Sequence, residues 1–458
     1  MRLHMFLVAA FYCQGREEMP HLVPLFALAL PAGSARRRKN MKLPSWLEPT
    51  PTILRIEDPI HGAFTLFGLE AQLVNTSPFQ RLRGVGQLPA KLIIPTANHS
   101  RYEHSIGVYF LGRKAIAHLW ALGDLRGTQQ TTLREFLVAC LLHDIGHRPF
   151  SHTLDPVDGL QTHEKVGREI IQEGEIANII KKKRLSPQRV ADFIDPPEKQ
   201  VACKALLSLL SGWMDVDKLD YVPRDGFYTG LLSSPYSIEC DKILNGLRIQ
   251  NGELLLQQEA LKPVQVVRKL REELYAQVYW HPDVRTYDRM INRAVEDALI
   301  NGALSPDLIG RLGDERLLTM LGNSNMPSST RELSRAFQKR QKYRELLTLS
   351  NFHLPGVTLE MKAPQRRWVE QQMGVKFKLN SHSILLDLPR IMGRDDPPRI
   401  LNSDGGVLSW QEVTGEDLRA PRWPEVQQVP RVLCAPHLYD DLKEKRQEVW
   451  EALARALS

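Results

Sequence analysis

The run Ala139-Cys-Leu-Leu-His-Asp-Ile-Gly-His147 decides how this chain folds. It closes a nearly all-apolar stretch, residues 133–142, which predicts a central helix that is buried on most sides. His143 and Asp144 follow at once, so an imidazole and a carboxylate stand together at the edge of a core. Burying such a pair without partners would cost several kcal/mol. A bound divalent metal is the leading candidate for the missing partner.

Two other strings place polar side chains at the ends of apolar helices. Arg101-Tyr-Glu-His104 opens one predicted helix, and Met214–Tyr221 closes another. A set with two nitrogens and two oxygens suits manganese, iron, zinc or nickel and selects poorly among them. Each residue alone is better explained as a helix cap or a surface ion pair, whereas the ensemble favours a metal site. The predicted ligands are His104, His143, Asp144 and Asp217.

The length and the net charge of the chain narrow its possible domain organisation and partners. A chain of 458 residues is longer than one compact core usually holds, which predicts a main domain with appendages. Hydrophobic residues make up 43% and charged residues 25%, as in ordinary globular proteins. The net charge of +7 fits a solvated basic surface, the interpretation we favour. It also fits a partner that carries phosphates, such as a nucleotide or a nucleic acid.

Cysteines and hydropathy bear on the compartment. The five cysteines are scattered, odd in number and without a Cys-x-x-Cys pair, so a reducing cytoplasm is expected. No apolar stretch reaches the eighteen or so residues that a membrane-spanning helix needs, so no membrane partner is expected. Residues 1–45 are predicted to be a disordered leader or an over-extended start, because the chain begins afresh at Met41.

The hydrophobic pattern predicts a mainly α fold with a smaller α/β C-terminal part. The main body should cover residues 50–350 and the C-terminal part residues 351–458. Strands are expected within residues 53–67, at 383–389 and in a β-hairpin at 247–254 with an Asn-Gly turn. The predicted helices cover residues 78–88, 104–122, 133–142, 163–172, 176–184, 191–194, 201–210, 263–279, 283–302, 306–321, 329–347 and 439–457.

Several short sequence strings between residues 53 and 300 follow one another in the order that one known protein family shows. They are Asp58–Gly62, Phe79–Arg83, Gln87-Leu88, Arg101–His104, His143–His147, Pro149–His152, Thr162–Glu164, Asp217–Tyr221, Arg224-Asp225 and Leu274–His281. Together they resemble the HD-domain phosphohydrolases, and within them the branch of deoxynucleoside triphosphate triphosphohydrolases. The resemblance implies an HD-domain helical bundle as the catalytic core.

The resemblance also implies catalytic roles. The four predicted ligands would hold the metal, which would lower the pKa of a bound water. His163, oriented by Asp155, would act as general acid toward the departing sugar oxygen. His147 would stabilise charge that develops on the phosphate. Magnesium would accompany the nucleotide phosphates.

Further residues are implied to contact the substrate. Basic side chains would hold the triphosphate, and an arginine can do so with two parallel hydrogen bonds. The implied set is Arg101 and Lys218 for the triphosphate, Tyr221 beside the sugar, Gln87 and Asp225 for the 3′-hydroxyl, Leu88 against a ribose 2′-hydroxyl, and Tyr279 at the base.

Several of these positions also have ordinary structural interpretations. His147 and His152 could satisfy backbone groups in the turn after a helix. Arg224 and Asp225 could form a loop ion pair that is worth little at a surface. His61, in the Asp58–Gly62 string, is expected to be structural.

The chain departs from the family at the position of a guanine-nucleotide effector. Gln80 and Arg83 fit that pattern, but Asn75 stands where an aspartate is expected. A carboxylate accepts hydrogen bonds from both guanine N–H groups, which an amide does poorly. Leu54 and Arg55 occupy the stretch where the family has a lysine. The sequence therefore does not support activation by GTP, while another nucleotide effector stays possible.

The resemblance predicts a homo-oligomeric enzyme with one reaction, and the cysteine pattern predicts that it is cytoplasmic. Water attacks the α-phosphorus of a deoxynucleoside triphosphate, and the products are a deoxynucleoside and tripolyphosphate. One alternative keeps the metal and changes the substrate to a nucleoside monophosphate, a cyclic nucleotide or an alarmone. Another is a non-catalytic sensor that binds nucleotides or single-stranded nucleic acid, although the basic and aromatic interleaving that stacks bases is not evident.

Overall fold

A β-hairpin built on the Asp58–Gly62 string precedes a bundle of long helices in the computed structural model of this chain. The predicted leader, residues 1–45, lies outside the described residues except for residue 44. All features discussed below belong to one compact unit, Leu43–Ser458. The structure describes residues 44, 53–197, 203–349, 361–388, 397–417 and 429–457.

Helices dominate the described residues, which confirms the predicted mainly α fold with a smaller α/β part. The helices are α1 (Gly68–Val74), α2 (Ser77–Arg81), α3 (Arg101–Leu122), α4 (Gln130–Leu142), α5 (His163–Gln172), α6 (Gly174–Lys182), α7 (Pro187–Ile194), α8 (Lys204–Leu210), α9 (Val216–Thr229), α10 (Cys240–Asn245), α11 (Leu261–Leu274), α12 (Pro282–Ile300), α13 (Pro306–Gly310), α14 (Asp314–Leu321), α15 (Ser328–Gln338), α16 (Ala363–Phe377), α17 (Trp410–Thr414), α18 (Tyr439–Glu444) and α19 (Arg446–Leu457). None of the helices in the described ranges is long and apolar enough to cross a membrane.

Within the described residues, the strands form three small sheets. They are β1 (Ile53–Asp58), β2 (Gly62–Phe67), β3 (Leu247–Gln250), β4 (Glu253–Gln257), β5 (Arg344–Thr348), β6 (Ile384–Asp387), β7 (Arg399–Leu401), β8 (Val407–Ser409) and β9 (Arg431–Cys434). β1 and β2 pair with each other, while the other sheets have the orders β3-β4-β7-β8 and β5-β9-β6. The predicted hairpin is confirmed in β3 and β4, where Asn251 and Gly252 have φ of 53° and 76°. Positive φ at both turn residues is what a type I′ turn requires.

Helices α4 and α9 each pack against α3 in the main hydrophobic core. α3 starts with a capping box, in which the Ser100 hydroxyl accepts from the Tyr102 amide and Glu103 accepts from the Ser100 amide. It ends at Gly123, whose φ of 81° stops the helix. Every residue of α4 from Glu135 onward is buried, which confirms the predicted central helix.

One predicted helix is wrong in its last part. Residues 329–347 were expected to be helical, but α15 ends at Gln338 and Arg340 has a φ of 55°. Residues 344–348 then form β5, because they pair with β9 far along the chain. A local hydrophobic pattern cannot reveal a strand whose only reason is a distant partner.

Other boundaries shift by smaller amounts. The helices predicted at 306–321 and 439–457 are each divided into two, and the one predicted at 263–279 ends in a π-helical turn, Tyr275–Tyr279. The helix predicted at 78–88 stops at Arg81 and continues only as a 3₁₀ turn.

A buried carboxylate, Glu370 of α16, joins the C-terminal part to α12. Its oxygens lie 2.9 Å from Arg289 Nη2 and 2.5 Å from Arg293 Nη1, and it accepts from the Leu386 amide at 2.7 Å. The three partners come from α12 and β6, so this one side chain fixes three elements relative to one another.

The crossing of α3 and α9 requires a glycine. A Cβ on Gly107 would overlap the Asp220 carboxylate of α9 and would lie 2.7 Å from Arg224 Nη2. We therefore expect Gly107→Ala to lower the free energy of unfolding by about 1–3 kcal/mol, as overpacking does. The same change at Gly310, where a Cβ would meet nothing within 4 Å, should alter it by less than about 1 kcal/mol. Urea denaturation measures both, and equal effects would contradict the tight crossing.

Candidate metal centre and cavity

The predicted ligands lie at the ends of the three core helices. His104 is in the first turn of α3, His143 directly follows α4, and Asp217 is in the first turn of α9. Because these helix ends meet, side chains that are distant in sequence come together. The structure thus assembles the two imidazoles with Asp144 and Asp217.

The four side chains converge closely. The Nε2 atoms of His104 and His143 lie 3.2 Å apart. Asp217 Oδ1 is 3.0 Å from the first and 3.6 Å from the second. Asp144 Oδ2 lies 3.5 Å from His104 Nε2, and its Oδ1 lies 3.4 Å from His143 Nε2. The geometry on which a metal centre depends is therefore present.

These separations fit one shared ion. Ligand atoms about 2.0–2.2 Å from a metal, at angles near 90–110°, are about 3.0–3.6 Å from one another. The donor set of two imidazoles and two carboxylates is one that divalent transition metals accept. The residues present therefore fit a divalent metal, although they do not identify it.

The pKa shifts of these side chains indicate their charges in the absence of a metal ion. Burial lowers the pKa of His104, but hydrogen bonds with Asp217 and Asp220 outweigh it and raise the pKa to about 10. Burial likewise opposes ionisation of Asp144, yet the Arg101 guanidinium, 2.6 Å away, holds its pKa well below the usual range. The carboxylates are thus ionised, and in the absence of a cation the protonated imidazoles balance their negative charge.

Asp220, which the sequence analysis did not single out, contacts one of the predicted ligands. Its Oδ2 lies 2.7 Å from His104 Nδ1, so the ring donates there and turns Nε2 toward the other ligands. Its Oδ1 lies 2.6 Å from His61 Nε2, and Arg224 donates to both oxygens at 2.8 and 2.9 Å. Arg224 Nη1 also pairs with Asp58 at 2.9 Å.

The Asp58–Gly62 string therefore contributes two side chains, Asp58 and His61, that hold Arg224 and Asp220 in place beside the predicted ligands. The expectation that His61 is structural understates it, because His61 helps to position the carboxylate that orients a ligand. Arg224 is fully buried, so its ion pairs are not the surface pairs that the ordinary interpretation assumed. The signal available in sequence was the co-occurrence of this string with Asp220 and Arg224.

A group of three histidines lies beside the four ligands. The rings of His147 and His163 are stacked with centroids 4.0 Å apart, and His152 meets both at steep angles. Asp155 was predicted to orient His163, but its Oδ2 lies 2.9 Å from His152 Nδ1 and thus orients His152. His163 Nε2 is instead 3.3 Å from Glu164 Oε1.

The stacking of the His147 and His163 rings limits their ability to bind a metal ion together. The lone pairs of nitrogens in nearly parallel rings do not converge on one point, so His147 and His163 are poorly placed to share an ion. Burial lowers the pKa of both imidazoles, and the Arg101 charge lowers that of His147 further. Both rings are therefore neutral hydrogen-bonding groups near pH 7.

A cavity of about 430 Å³ opens beside the ligands. Asp217 and His152 lie in its wall, whereas His147 and His163 do not. All the side chains that the sequence assigned to the substrate line it, although they are spread from residue 87 to residue 279. They are Gln87, Leu88, Arg101, Lys218, Tyr221, Asp225 and Tyr279.

The polar groups of this wall are held in place by neighbours. Asp225 lies 2.7 Å from His99 Nε2 and accepts from the Tyr279 hydroxyl at 2.5 Å. Lys218 donates to Asp215 at 2.9 Å. Arg271, which the sequence analysis overlooked, donates to the Tyr221 hydroxyl at 2.9 Å and also lines the cavity.

The residues compared with the effector pattern are engaged locally. Gln80 donates to the Val74 carbonyl at 2.8 Å and accepts from Arg83 Nε at 2.9 Å. Asn75 donates to the Ala71 carbonyl at 2.9 Å. Each of the three side chains thus has a hydrogen-bond partner within its own segment of the chain.

Comparison with known proteins shows which families and proteins this chain resembles. The profile of the HD domain matches residues 101–214, and that of the HD associated region matches residues 238–409. The uncharacterized protein MJ1154 of Methanocaldococcus jannaschii is 28% identical over 376 residues, which are 78% of this chain and 74% of that protein. Human deoxynucleoside triphosphate triphosphohydrolase SAMHD1 is 32% identical over 215 residues, 39% of this chain and 34% of that protein.

The fold is also shared with solved structures. The crystal structure of a phosphohydrolase from Bacteroides thetaiotaomicron has a TM-score of 0.62 at 23% identity, covering 83% of this chain and 99% of that one. His104, His143 and Asp144 lie inside the segment that matches the HD domain, and Asp217 follows it directly. With the HD domain at residues 101–214 and the HD associated region after it, the chain belongs to the HD-domain family.

Proposed function

We propose that this protein hydrolyses deoxynucleoside triphosphates to a deoxynucleoside and tripolyphosphate with the help of a divalent metal. One observation carries the proposal: the four converging side chains reach, through Asp217, a cavity whose wall contains every side chain that the sequence assigned to the substrate. The similarity to human SAMHD1, named for this activity, supports the choice of substrate.

His104, His143, Asp144 and Asp217 would hold the metal. When bound, a divalent ion there supplies a Lewis acid that activates water and polarises a phosphoryl oxygen. The chain's own task is to place the α-phosphorus beside these ligands. Arg101, Lys218 and Arg271 supply the positive charge for this, and the contacts of Arg101 with Asp144 and Ser151 hold its guanidinium rigid.

The geometry favours His152 as the proton donor to the departing 5′-oxygen. His152 lines the cavity, and Asp155 holds its Nδ1, which leaves Nε2 free to reach a substrate. His163 is less suited, because burial lowers its pKa and so disfavours the protonated form. In this assignment His147 and His163, which do not line the cavity, stay neutral and pack against the His152 ring.

The other end of the cavity suits a deoxyribose. Gln87 Oε1 is buried without a hydrogen-bond partner among the described residues, and Asp225 lies in the same wall, so both can meet the 3′-hydroxyl. Leu88 leaves no polar partner for a 2′-hydroxyl. Tyr221 packs beside the sugar, and Tyr279 lies toward the base.

The first test is the product. Purified protein with Mn²⁺ and a deoxynucleoside triphosphate should release tripolyphosphate, seen by phosphorus NMR, and a chelator should stop the release. Asp217→Asn should lower the rate by at least about 10³-fold, since it removes a ligand that all turnover needs. The matched control is Asp241→Asn, an exposed carboxylate on α10, which should leave the rate unchanged.

The products also separate the alternatives. Release of orthophosphate or of a nucleoside monophosphate alone would reject the triphosphohydrolase assignment. Turnover of a monophosphate, a cyclic nucleotide or an alarmone in place of the triphosphate would establish the second substrate class. Nucleotide binding without turnover of any of them would establish a sensor.

The second test concerns the proton donor. His152→Gln should slow hydrolysis of dGTP by about 10²–10⁴-fold, because an alkoxide leaves poorly without a proton. It should slow the 5′-thio analogue of dGTP far less, because a thiolate leaves unaided. Asp217→Asn should slow both substrates. If His163→Gln shows the substrate-dependent loss and His152→Gln does not, the acid is His163.

The third test concerns metal affinity. Asp220→Asn should weaken Mn²⁺ binding by about 10–100-fold, because His104 loses the carboxylate that orients it. Isothermal titration of the metal-free protein measures this, and thermal melting checks that the variant is folded. Activity should return at high Mn²⁺ concentration. Unchanged affinity would show that Asp220 has no part in positioning His104.

A further inference from the structure

The turn that carries His152 has an unfavourable backbone. Phe150 and Ser151 have φ of 59° and 50°, in the left-handed region that residues other than glycine rarely adopt. The 3₁₀ turn Ser151–Leu154 follows from Ser151 onward. Side chains in such a conformation persist only where neighbouring groups hold them there. We call residues 150–154 the donor turn, because they include the proposed proton donor.

Two carboxylates from outside the HD domain hold the donor turn on either side of His152. Asp314, the first residue of α14, accepts from the Phe150 amide at 2.8 Å. Asp288 of α12 accepts from the Thr153 hydroxyl at 2.9 Å. Both carboxylates lie in the segment that matches the HD associated region, whereas the donor turn lies in the HD domain. The donor turn is thus fixed by a region that contains none of the four predicted ligands.

These two contacts determine where the His152 ring stands. The His152 side chain is 56% exposed and lines the cavity. Asp155 orients the ring within the turn. The distance from the ring to a bound substrate depends instead on the backbone at residues 150–153, which Asp314 and Asp288 hold from both ends.

Asp314 also connects the donor turn with the segment that reaches the sugar. Its Oδ2 accepts from the Gly86 amide at 3.2 Å and from Lys91 Nζ at 2.9 Å. Gly86 directly precedes Gln87 and Leu88, which are the proposed contacts of the deoxyribose. Asp314 is only 2% exposed, so water competes little for these bonds. One carboxylate therefore sets the spacing between the proton donor and the residues around the sugar.

We propose that Asp288 and Asp314 are positioning residues, which hold the donor turn so that His152 reaches the departing 5′-oxygen. The proposal rests on the proposed function, in which His152 protonates that oxygen. A proton donor must lie within about 2.6–3.2 Å of the atom it protonates. A displacement of about 1 Å can cost about 10²-fold in rate. Loss of either contact should therefore slow bond breaking while metal binding stays intact.

Direct contact with the substrate is the alternative role for Asp288, because Asp288 and Thr153 both line the cavity. A contact of that kind would act on every substrate that binds in the cavity. Positioning of His152 matters only when the leaving group needs a proton. The nature of the leaving group therefore separates the two roles.

The experiment compares hydrolysis of dGTP and of its 5′-thio analogue by the full chain with Mn²⁺. Thr153→Val keeps the shape of the side chain and removes its hydroxyl. It should lower kcat for dGTP by about 10–100-fold and kcat for the thio analogue by less than about 3-fold, since a thiolate leaves unaided. Thr153→Ser keeps a hydroxyl and should keep most of the rate. Asp307→Asn, at an exposed carboxylate of α13, is the control and should change neither rate.

A double-mutant cycle tests whether the loss passes through His152. In a His152→Gln background, Thr153→Val should lower the dGTP rate by less than about 2-fold, because no donor is left to misplace. The full loss in that background, or an equal loss with both substrates, would overturn the proposal. Isothermal titration should show unchanged Mn²⁺ affinity for Thr153→Val, and thermal melting checks that the variant is folded.

Hydrogen exchange gives a readout that needs no turnover. In Asp314→Asn the one remaining oxygen should keep Gly86 and Lys91 as donors, which turns the amide nitrogen toward the Phe150 N–H. Exchange within residues 150–154, measured by mass spectrometry, should then be at least about 10-fold faster. Unchanged exchange would show that Asp314 does not hold the donor turn and would overturn its part in the proposal.

Failure of the proposed function looks different from failure of this proposal. In that case exchange within the donor turn still becomes faster in Asp314→Asn. The unaltered protein, however, releases no tripolyphosphate, or His152→Gln keeps its full rate on dGTP.

Discussion

The hydrogen bond between the His104 imidazole and the Asp220 carboxylate is the constraint on which the centre depends. It exists only because Gly107 lets α3 approach α9 closely. The same carboxylate is fixed by Arg224, and Arg224 by Asp58 of the N-terminal hairpin. The N-terminal hairpin, α3 and α9 therefore together fix the orientation of the His104 ring. Its Nε2 must face the other predicted ligands.

Charge explains why so polar a cluster is stable in a core. Asp144 and Asp220 each have a guanidinium partner, whereas Asp217 relies on the two imidazoles. In the metal-free protein, protonated rings supply the positive charge that an ion would otherwise bring. A proton and a metal therefore compete for the same nitrogens, and metal binding must release protons. This coupling follows from the carboxylates, which favour both occupants.

The sequence predicted which four side chains converge better than it predicted what surrounds them. Each ligand ends or opens an apolar helix, and helices that share a core bring such ends together. β5 could not be foreseen, because only its pairing with β9 makes residues 344–348 a strand. The pairing of His152 with Asp155 depends on a 3₁₀ turn that follows positive φ values at Phe150 and Ser151. Nothing in the periodicity of the sequence signals that backbone.

The cavity wall comes from two different parts of the chain. The four converging side chains lie at the ends of α3, α4 and α9, whose geometry allows little change because a side chain displaced by a fraction of an ångström no longer meets the others. Another part of the wall belongs to α12, α16 and β6, which Glu370 ties together without contacting the four side chains. Side chains of this second part can therefore change while the convergence of the four stays intact.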